Sequence, residues 1–110
     1  MYKKDFNLNG FVFTQEMDLS TDTAYYKTED GTLLMEVDSS GNATDGEGNL
    51  IGRFRLTPEE GRRLGERWRY VNADTTQVID TPYQHLFDDA EPYVFEKLFN
   101  PKHKTAGATA

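Results

Sequence analysis

The first half of the chain alternates apolar and polar residues with the period of two that is typical of β-strands. The alternation runs over four segments, 6–13, 24–28, 32–37 and 50–56. Gly10 interrupts the first segment, and we expect a bulge or a bend there because glycine weakens a strand interior. The polar residues 14–22 are predicted to form a loop. The pattern therefore predicts about four strands in the N-terminal half.

The pair Asp30-Gly31 lies between the second and third of these strands. An Asp-Gly pair flanked by apolar runs favours a two-residue hairpin of type I′, because both central residues of that turn need positive φ. We therefore predict that the strands 24–28 and 32–37 pair as a hairpin.

The stretch 41-GNATDGEGNLIGR-53 places acids and amides between glycines and has to be compared with a calcium-binding loop. A loop of the EF-hand type needs glycine at its sixth position and glutamate at its twelfth. Counted from Asp38 those positions hold Ala43 and Asn49, and counted from Asp45 they hold leucines. Turn-forming residue types explain the stretch without a metal, so we predict a hairpin that leads into the strand 50–56.

Helical periodicity begins at residue 57. Thr57 is predicted to be an N-cap, Pro58 takes the first helical position, and Glu60 completes a capping box. Apolar residues at helical spacing extend this predicted helix to Val71, with Trp68 as its largest apolar residue.

Two more helices are predicted in the C-terminal third. One begins at Thr81-Pro82 and ends near Phe87, and the next begins at Pro92 and ends at Asn100-Pro101. A short strand is predicted at Gln77–Ile79.

Strands followed by helices predict one α+β domain over residues 1–100, with an antiparallel sheet packed against two to three C-terminal helices. The segment 101–110 has little apolar content and is predicted to be a disordered tail.

The composition narrows the classes of function. The chain has 12 Lys and Arg against 19 Asp and Glu, a net charge of −7, and an acidic protein is repelled by nucleic-acid backbones and anionic membranes. Cysteine is absent, which excludes disulfides, thiolate metal sites and a thiol nucleophile. No segment resembles a signal peptide or has the ~20 apolar residues of a membrane helix. We expect a soluble, cytoplasmic protein without a cofactor.

Positive charge is concentrated in one block between two acidic segments. The binding patch predicted from this block consists of Arg53, Arg55, Arg62, Arg63, Arg67, Arg69 and Tyr70. Such a patch can hold a phosphate, an RNA backbone or an acidic protein surface.

Internal pairing of the same arginines is the competing interpretation. Glu59–Arg63 and Arg62–Glu66 have the spacing of ion pairs along a helix. Glu36 and Asp38 would neutralise the two arginines of the strand 50–56 if they lay across the sheet from them.

A second candidate metal site is the cluster of His85, Asp88 and Asp89, which have i, i+3 and i+4 spacing on a predicted short helix. Imidazole and carboxylates at this spacing can bind zinc or iron or form an acid–base pair. The second histidine of the chain, His103, falls in the predicted tail, so the ligand set is incomplete, and helix capping explains both aspartates. Serine residues fall in predicted loops without a nucleophile elbow. We therefore predict neither a metal site nor catalytic residues.

These observations favour a non-catalytic protein-binding module with a protein partner, which could present an acidic surface. Size and charge resemble those of inhibitors, immunity proteins and phage or plasmid accessory factors. A nucleic-acid or phosphate-binding domain using the Arg53–Arg69 block is the alternative. An acidic inhibitor that mimics DNA is a further alternative, which the arginine block disfavours.

Overall fold

Eight antiparallel strands in sequential order form a single sheet in the computed structural model, which describes residues 2–57 and 66–103. Each strand pairs with the one before it and the one after it. The strands are β1 (Tyr2–Leu8), β2 (Phe11–Asp18), β3 (Thr23–Thr28), β4 (Leu33–Val37), β5 (Asn42–Asp45), β6 (Leu50–Leu56), β7 (Trp68–Asn72) and β8 (Val78–Asp80). A π-helical turn, Leu86–Ala90, then leads into the helix α1, Glu91–Phe99.

The prediction of about four strands and two to three helices is wrong, because the described residues form eight strands, one helix and one short π-helical turn. The first predicted strand is two strands. Asn9 and Gly10 have φ values of 54° and 80°, so the interruption at Gly10 is a type I′ hairpin turn rather than a bulge. The predicted loop 14–22 contains most of β2, whose buried positions include Gln15. A polar residue on the buried face concealed the alternation.

The helix predicted over 57–71 is wrong at its C-terminal end. Trp68–Asn72 is strand β7, which pairs with β6. Aromatic and β-branched residues favour a strand there, and the strand buries Tyr70 on the same face as Phe54. The predicted helical segment 58–65 lies outside the described residues.

Residues 81–85 do not form the helix that the sequence predicts to begin at Thr81. These residues are hydrogen-bonded to the start of β7 instead. Thr81 N and Oγ1 donate to Trp68 O, and Trp68 N donates to Tyr83 O at 2.9 Å. The chain therefore continues the sheet edge before it turns into the π-helical segment.

Both predicted hairpins are confirmed. β3 pairs with β4, and β5 pairs with β6. The first turn differs from the predicted type I′, since Gly31 has a φ of 87° and Asp30 is not among the residues with positive φ. Thr28 N donates to Thr32 O at 3.0 Å, so the connection has three residues and its last one is left-handed.

An Asp-x-x-Gly-Asn motif forms two successive turns. In the second, Asp45 N donates to Asn49 O, and Asp45 Oδ1 accepts hydrogen bonds from Glu47 N and Asn49 N at 2.9 Å. Asp38 makes the same bonds to Ser40 and Asn42. The backbone hydrogen bond from Asn49 is the main cause that lowers the pKa of Asp45. The acids of this stretch thus stabilise chain reversals.

One face of the sheet carries the core and is covered by α1. Phe95 of the helix is fully buried, and its ring centroid lies 4.7 Å from that of Phe13 and 5.1 Å from that of Tyr26. Further along the sheet, Tyr70 contacts Phe54 edge to face at 5.3 Å.

Helix α1 confirms the third predicted helix, and its C-cap is Asn100, where the sequence predicts that the helix ends. Residues 101–103 add a helical turn, while 104–110, the rest of the predicted tail, lie outside the described residues. Within the described part of the chain, no helix has the length and apolar character needed to span a membrane.

Candidate functional site

The face of the sheet opposite α1, called here the open face, carries the arginines of β6 and β7. Arg53 and Arg55 alternate with the buried Gly52 and Phe54, so both point away from the core. This confirms their predicted position on the outer face of the strand. Arg69 lies on β7 directly opposite Arg55 in the register of the two strands.

A directly opposed pair of like charges destabilises a sheet unless something neutralises it. None of the ion pairs found within residues 2–57 and 66–103 involves these arginines. Their hydrogen bonds go to neutral oxygens: Arg53 Nε donates to Asn42 Oδ1 at 3.2 Å, and Arg55 Nη1 donates to Phe54 O at 3.1 Å. Three guanidinium groups thus lie on one exposed surface without a carboxylate at ion-pair distance among the described residues.

The predicted neutralisation by Glu36 and Asp38 is wrong. Strand β5 separates β4 from β6, so Glu36 lies opposite Thr44, and the residue opposite Arg53 is Asn42. The register of the strands determines which residue lies opposite Arg53, and the local sequence pattern does not specify that register. The other predicted pairs involve residues 59, 62 and 63, which lie outside the described chain.

A shallow groove of about 240 Å³ runs beside the arginines. It ends at the turn after β7, where Asn72 Oδ1 accepts hydrogen bonds from Asp74 N at 2.8 Å and Thr75 N at 2.9 Å. The groove is lined by Arg53, Arg55, Val71, Asn72, Ala73 and Thr76. Its walls combine positive charge, an aliphatic side chain and turn residues, which suits a polar or acidic ligand group.

The structure does not bring all the predicted patch residues together. Tyr70 points to the covered face and is 1% exposed, so its assignment to an exposed patch is wrong. Burial raises the pKa of Tyr70 to about 12. Arg67 lines a different cavity, of about 570 Å³, together with Tyr83 and His85. Arg62 and Arg63 lie outside the described residues.

The cluster of His85, Asp88 and Asp89 does not converge. His85 and Asp89 line the cavity beside Arg67, whereas the Asp88 carboxylate lies 3.8 Å from Lys4 Nζ. Across the described ranges, no three side chains of the His, Cys, Asp or Glu type are grouped as a metal would need.

A buried network of hydrogen-bonded side chains lies beneath α1, and the sequence pattern does not predict it. Gln15 Nε2 donates to Tyr26 Oη at 2.8 Å and also to Phe87 O, and Tyr26 Oη donates to Glu91 Oε1. Burial raises the pKa of Glu91 to about 8, against a smaller opposing effect of the Tyr26 hydrogen bond. Burial and the nearby Glu91 raise the pKa of Tyr26 well above its usual value.

This buried hydrogen-bonded network has the residue types of an acid–base site but lacks access to solvent. Tyr26 and Glu91 are both 0% exposed, and Glu91 Oε2 is buried without a hydrogen-bond partner. In the sequence, Glu91 precedes a proline at a helix start, which is explained by capping. No local pattern distinguishes it from an exposed helix-start glutamate.

A second unforeseen cluster joins the first hairpin to the end of the chain. Glu96 accepts hydrogen bonds from Asn9 Nδ2 at 2.9 Å and Asn100 Nδ2 at 3.1 Å, and it also contacts His103 Nε2. Burial by itself raises the pKa of Glu96, but these three partners outweigh it and the net shift is downward. His103, placed by the sequence in a tail, is therefore held against the helix.

Comparison with protein-family models, curated proteins and solved structures finds no match to this chain. The candidate site accordingly rests on geometry alone. The arginines of the open face are its strongest feature, because Arg53 and Arg55 are exposed and none of the three forms an ion pair with a described residue. The acidic residue beside them is the exposed Asp80 of β8, which lies opposite Arg69 in the register.

Proposed function

We propose that this protein is a non-catalytic binding module that docks an acidic protein partner on the open face of β6 and β7. The observation that carries the proposal is the register of Arg55 and Arg69, which face each other across two paired strands. A carboxylate from a partner would sit between two guanidinium groups and remove their mutual repulsion.

The surroundings of the arginines favour a protein partner over a polyanion. Val71 and Val78 oppose each other on the same face, in the row next to the arginine pair, and Val78 is 46% exposed. Protein interfaces combine apolar contacts with arginine and a polar rim. A net charge of −7 opposes the approach of a nucleic acid, which needs several phosphate contacts.

Binding is proposed rather than catalysis because the acid–base groups and the accessible surface are on opposite faces. The Tyr26–Glu91 pair lies under α1 without exposure. The accessible groups lining the groove beside Arg55 are guanidinium, amide and hydroxyl groups, which are recognition groups more than catalytic ones. The exposed carboxylate of the same row, Asp80, lies opposite Arg69 on β8. Inhibitors, immunity proteins and accessory factors act in this way, by occupying a partner.

The first experiment measures binding of two labelled probes, an oligoglutamate peptide and a single-stranded oligonucleotide, by fluorescence anisotropy at low and moderate salt. We expect the peptide to bind more tightly than the oligonucleotide. Arg55→Glu should abolish peptide binding, because it places a carboxylate opposite Arg69. Lys102→Glu changes the net charge by the same amount on an exposed residue outside the sheet and should leave binding nearly unchanged.

Equal losses in the two variants would show that net charge alone governs binding and would contradict the proposal. Tighter binding of the oligonucleotide that is also lost in Arg55→Glu would favour the alternative of a nucleic-acid or phosphate site. A cross-linker placed at Val71 would then test natural partners, since the cross-linked peptides of a true partner should be rich in Asp and Glu.

A further inference from the structure

The outer edge of β1 is a second candidate interaction surface. It is the edge of the sheet farthest from β8. β1 has seven residues and is the first strand in the sheet order, so among residues 2–57 and 66–103 it pairs with β2 alone. An edge strand of this length presents a row of backbone N–H and C=O groups that can pair with another strand.

The first hairpin determines which backbone groups point outward. A type I′ turn joins its first and fourth residues, here Leu8 and Phe11, by a hydrogen bond. Hydrogen-bonded pairs then alternate along an antiparallel ladder. The residues of β1 whose N–H and C=O groups point away from β2 are consequently Lys3, Asp5 and Asn7, and their side chains lie on the open face.

A second copy of the chain can pair with this edge in a register that places opposite charges across from each other. When two identical antiparallel strands pair about a two-fold axis perpendicular to the sheet, each residue faces one from the same side of the sheet. Lys3 of each copy can then face Asp5 of the other, giving two pairs of opposite charges. A shift by two residues in either direction places Asp5 opposite Asp5 or Lys3 opposite Lys3, which like-charge repulsion disfavours.

We propose that this protein forms a homodimer in which the β1 strands pair edge to edge, with Lys3 of each copy opposite Asp5 of its partner, so that two sheets become one. The pairing forms backbone hydrogen bonds at Lys3 and Asp5 of both copies. Within its own copy, Lys3 Nζ lies 3.9 Å from Glu16 Oε2, and Asp5 Oδ1 accepts a hydrogen bond from Thr14 Oγ1 at 2.8 Å. The Lys3 side chain is nevertheless 66% exposed and Asp5 is an exposed residue, so both groups remain accessible to a strand added at this edge.

The side of β1 that faces the helix also fits this register. Tyr2, which is 48% exposed, would face Phe6 of the other copy, and aromatic cross-strand pairs stabilise sheets. Leu8 of that copy would lie diagonally from Tyr2, on the side where Tyr2 and Leu19 help to line an apolar groove of about 260 Å³. Leu19 is 70% exposed in the single chain.

In this register, Lys4 of one copy would face Lys4 of the other copy across the two-fold axis. Its Nζ atom lies 3.8 Å from the Asp88 carboxylate and 5.1 Å from the centre of the Phe6 ring. Asp88 thus supplies a negative charge beside each Lys4, which reduces the repulsion at the two-fold axis.

Sedimentation equilibrium from micromolar to millimolar concentration tests the proposal. We expect a monomer–dimer equilibrium that weakens as salt is added. Lys3→Asp and Asp5→Lys should each weaken dimerisation about tenfold or more, because both opposed pairs become repulsive. The double variant Lys3→Asp/Asp5→Lys restores opposite charges and should restore the dimer, whereas Lys102→Asp should have no effect.

A chain that stays monomeric at millimolar concentration and low salt would overturn the proposal, and so would a double variant that dimerises no better than the single ones. Amide hydrogen exchange of the unaltered protein provides a readout that does not depend on how the variants fold. Exchange at the Lys3 and Asp5 amides should slow as protein concentration rises, and unchanged exchange there in a dimeric sample would place the interface elsewhere.

Discussion

The covered face and the open face of the sheet are built from alternate residues of the same strands. Ionisable side chains are buried at the covered face, whereas they are accessible on the open face. On the covered face, Glu91 is buried next to Tyr26, and burial favours its neutral form. On the open face, Arg55 and Arg69 oppose each other across two paired strands. The covered face is therefore organised for stability, whereas the open face tolerates a local repulsion that a binding function would explain.

The two faces also differ in how much each side chain contributes to folding. Phe95 and Phe13 are fully buried in an aromatic cluster, whereas the open-face arginines have much of their surface in water. Substitutions on the covered face should thus change the free energy of unfolding strongly, and those on the open face should change binding more than stability.

Phe95→Ala should have the largest effect, because the ring contacts aromatic residues of β2 and β3 and its removal leaves a cavity. We expect a loss of about 3–5 kcal/mol in the free energy of unfolding, measured by urea denaturation. Leu19→Ala removes a side chain that is 70% exposed and serves as the control. A loss below about 1 kcal/mol for Phe95→Ala would mean that α1 is not packed on the sheet as described.

Glu91 gives the covered face a pH dependence. Its folded-state pKa of about 8 is above the ordinary value of 4.5 for a glutamate, so the native state binds more protons than the unfolded state between these values. The stabilisation from this group is complete below the lower value and is lost as pH rises through the upper one, by up to about 1.4 kcal/mol per pH unit.

Glu91→Gln removes this titration and retains an acceptor for Tyr26. The stability of the variant relative to the unaltered protein should increase as pH rises from about 5 to about 8, measured by urea unfolding across that range. A difference that stays constant with pH would show that Glu91 does not titrate in the folded protein with a raised pKa.

Gly52→Ala tests the close packing at the far end of the covered face. A Cβ atom at this position would lie 2.2 Å from Cζ of Tyr70, so the tyrosine ring has to move. We expect a loss of about 1–3 kcal/mol in thermal or urea unfolding.

Tyr70→Phe is the matched variant for this contact. It keeps the ring and removes a buried hydroxyl that has no hydrogen-bond partner in the described structure. Stability should be unchanged or slightly higher, because an unsatisfied buried polar group is unfavourable. A large loss would indicate that the hydroxyl does make a bond.

Arg55→Thr should have the smallest effect, and of the opposite sign. Removing one member of the opposed arginine pair should raise the free energy of unfolding by about 0.2–1 kcal/mol at low salt, and by less as salt screens the repulsion. Arg53→Thr is the control, since Arg53 faces Val71. A stability loss specific to Arg55 would show that the pair is neutralised in the folded chain, and the proposed docking site would lose its main support.

Local patterns predicted the elements that depend on local chemistry. The turn at Asp30-Gly31, the turn after Asp45, the strand Leu50–Leu56 and the helix led by Pro92 all lie where the sequence indicates. Turn residues, strand alternation and proline near a helix start act within a few residues. The outward direction of Arg53 and Arg55 follows from the same alternation.

Most of the predictions that were wrong concern segments whose structure depends on residues far away in the sequence. Asn9-Gly10 carried a hairpin signal that could have been recognised, but Trp68–Asn72 also fits a helical pattern and becomes a strand by pairing with β6. The same pairing turns Tyr70 inward and places Arg69 opposite Arg55.

The sequence by itself determined an acidic, cysteine-free chain with a basic block, reliable turn residues and strands that alternate in polarity. Only the tertiary structure decided that eight strands form one sheet, that Glu91 and Glu96 are buried, and which charges meet across strands. The physical reason is that turns and alternation are local energies. Burial and register, in contrast, depend on the residues that the folded chain brings from far away.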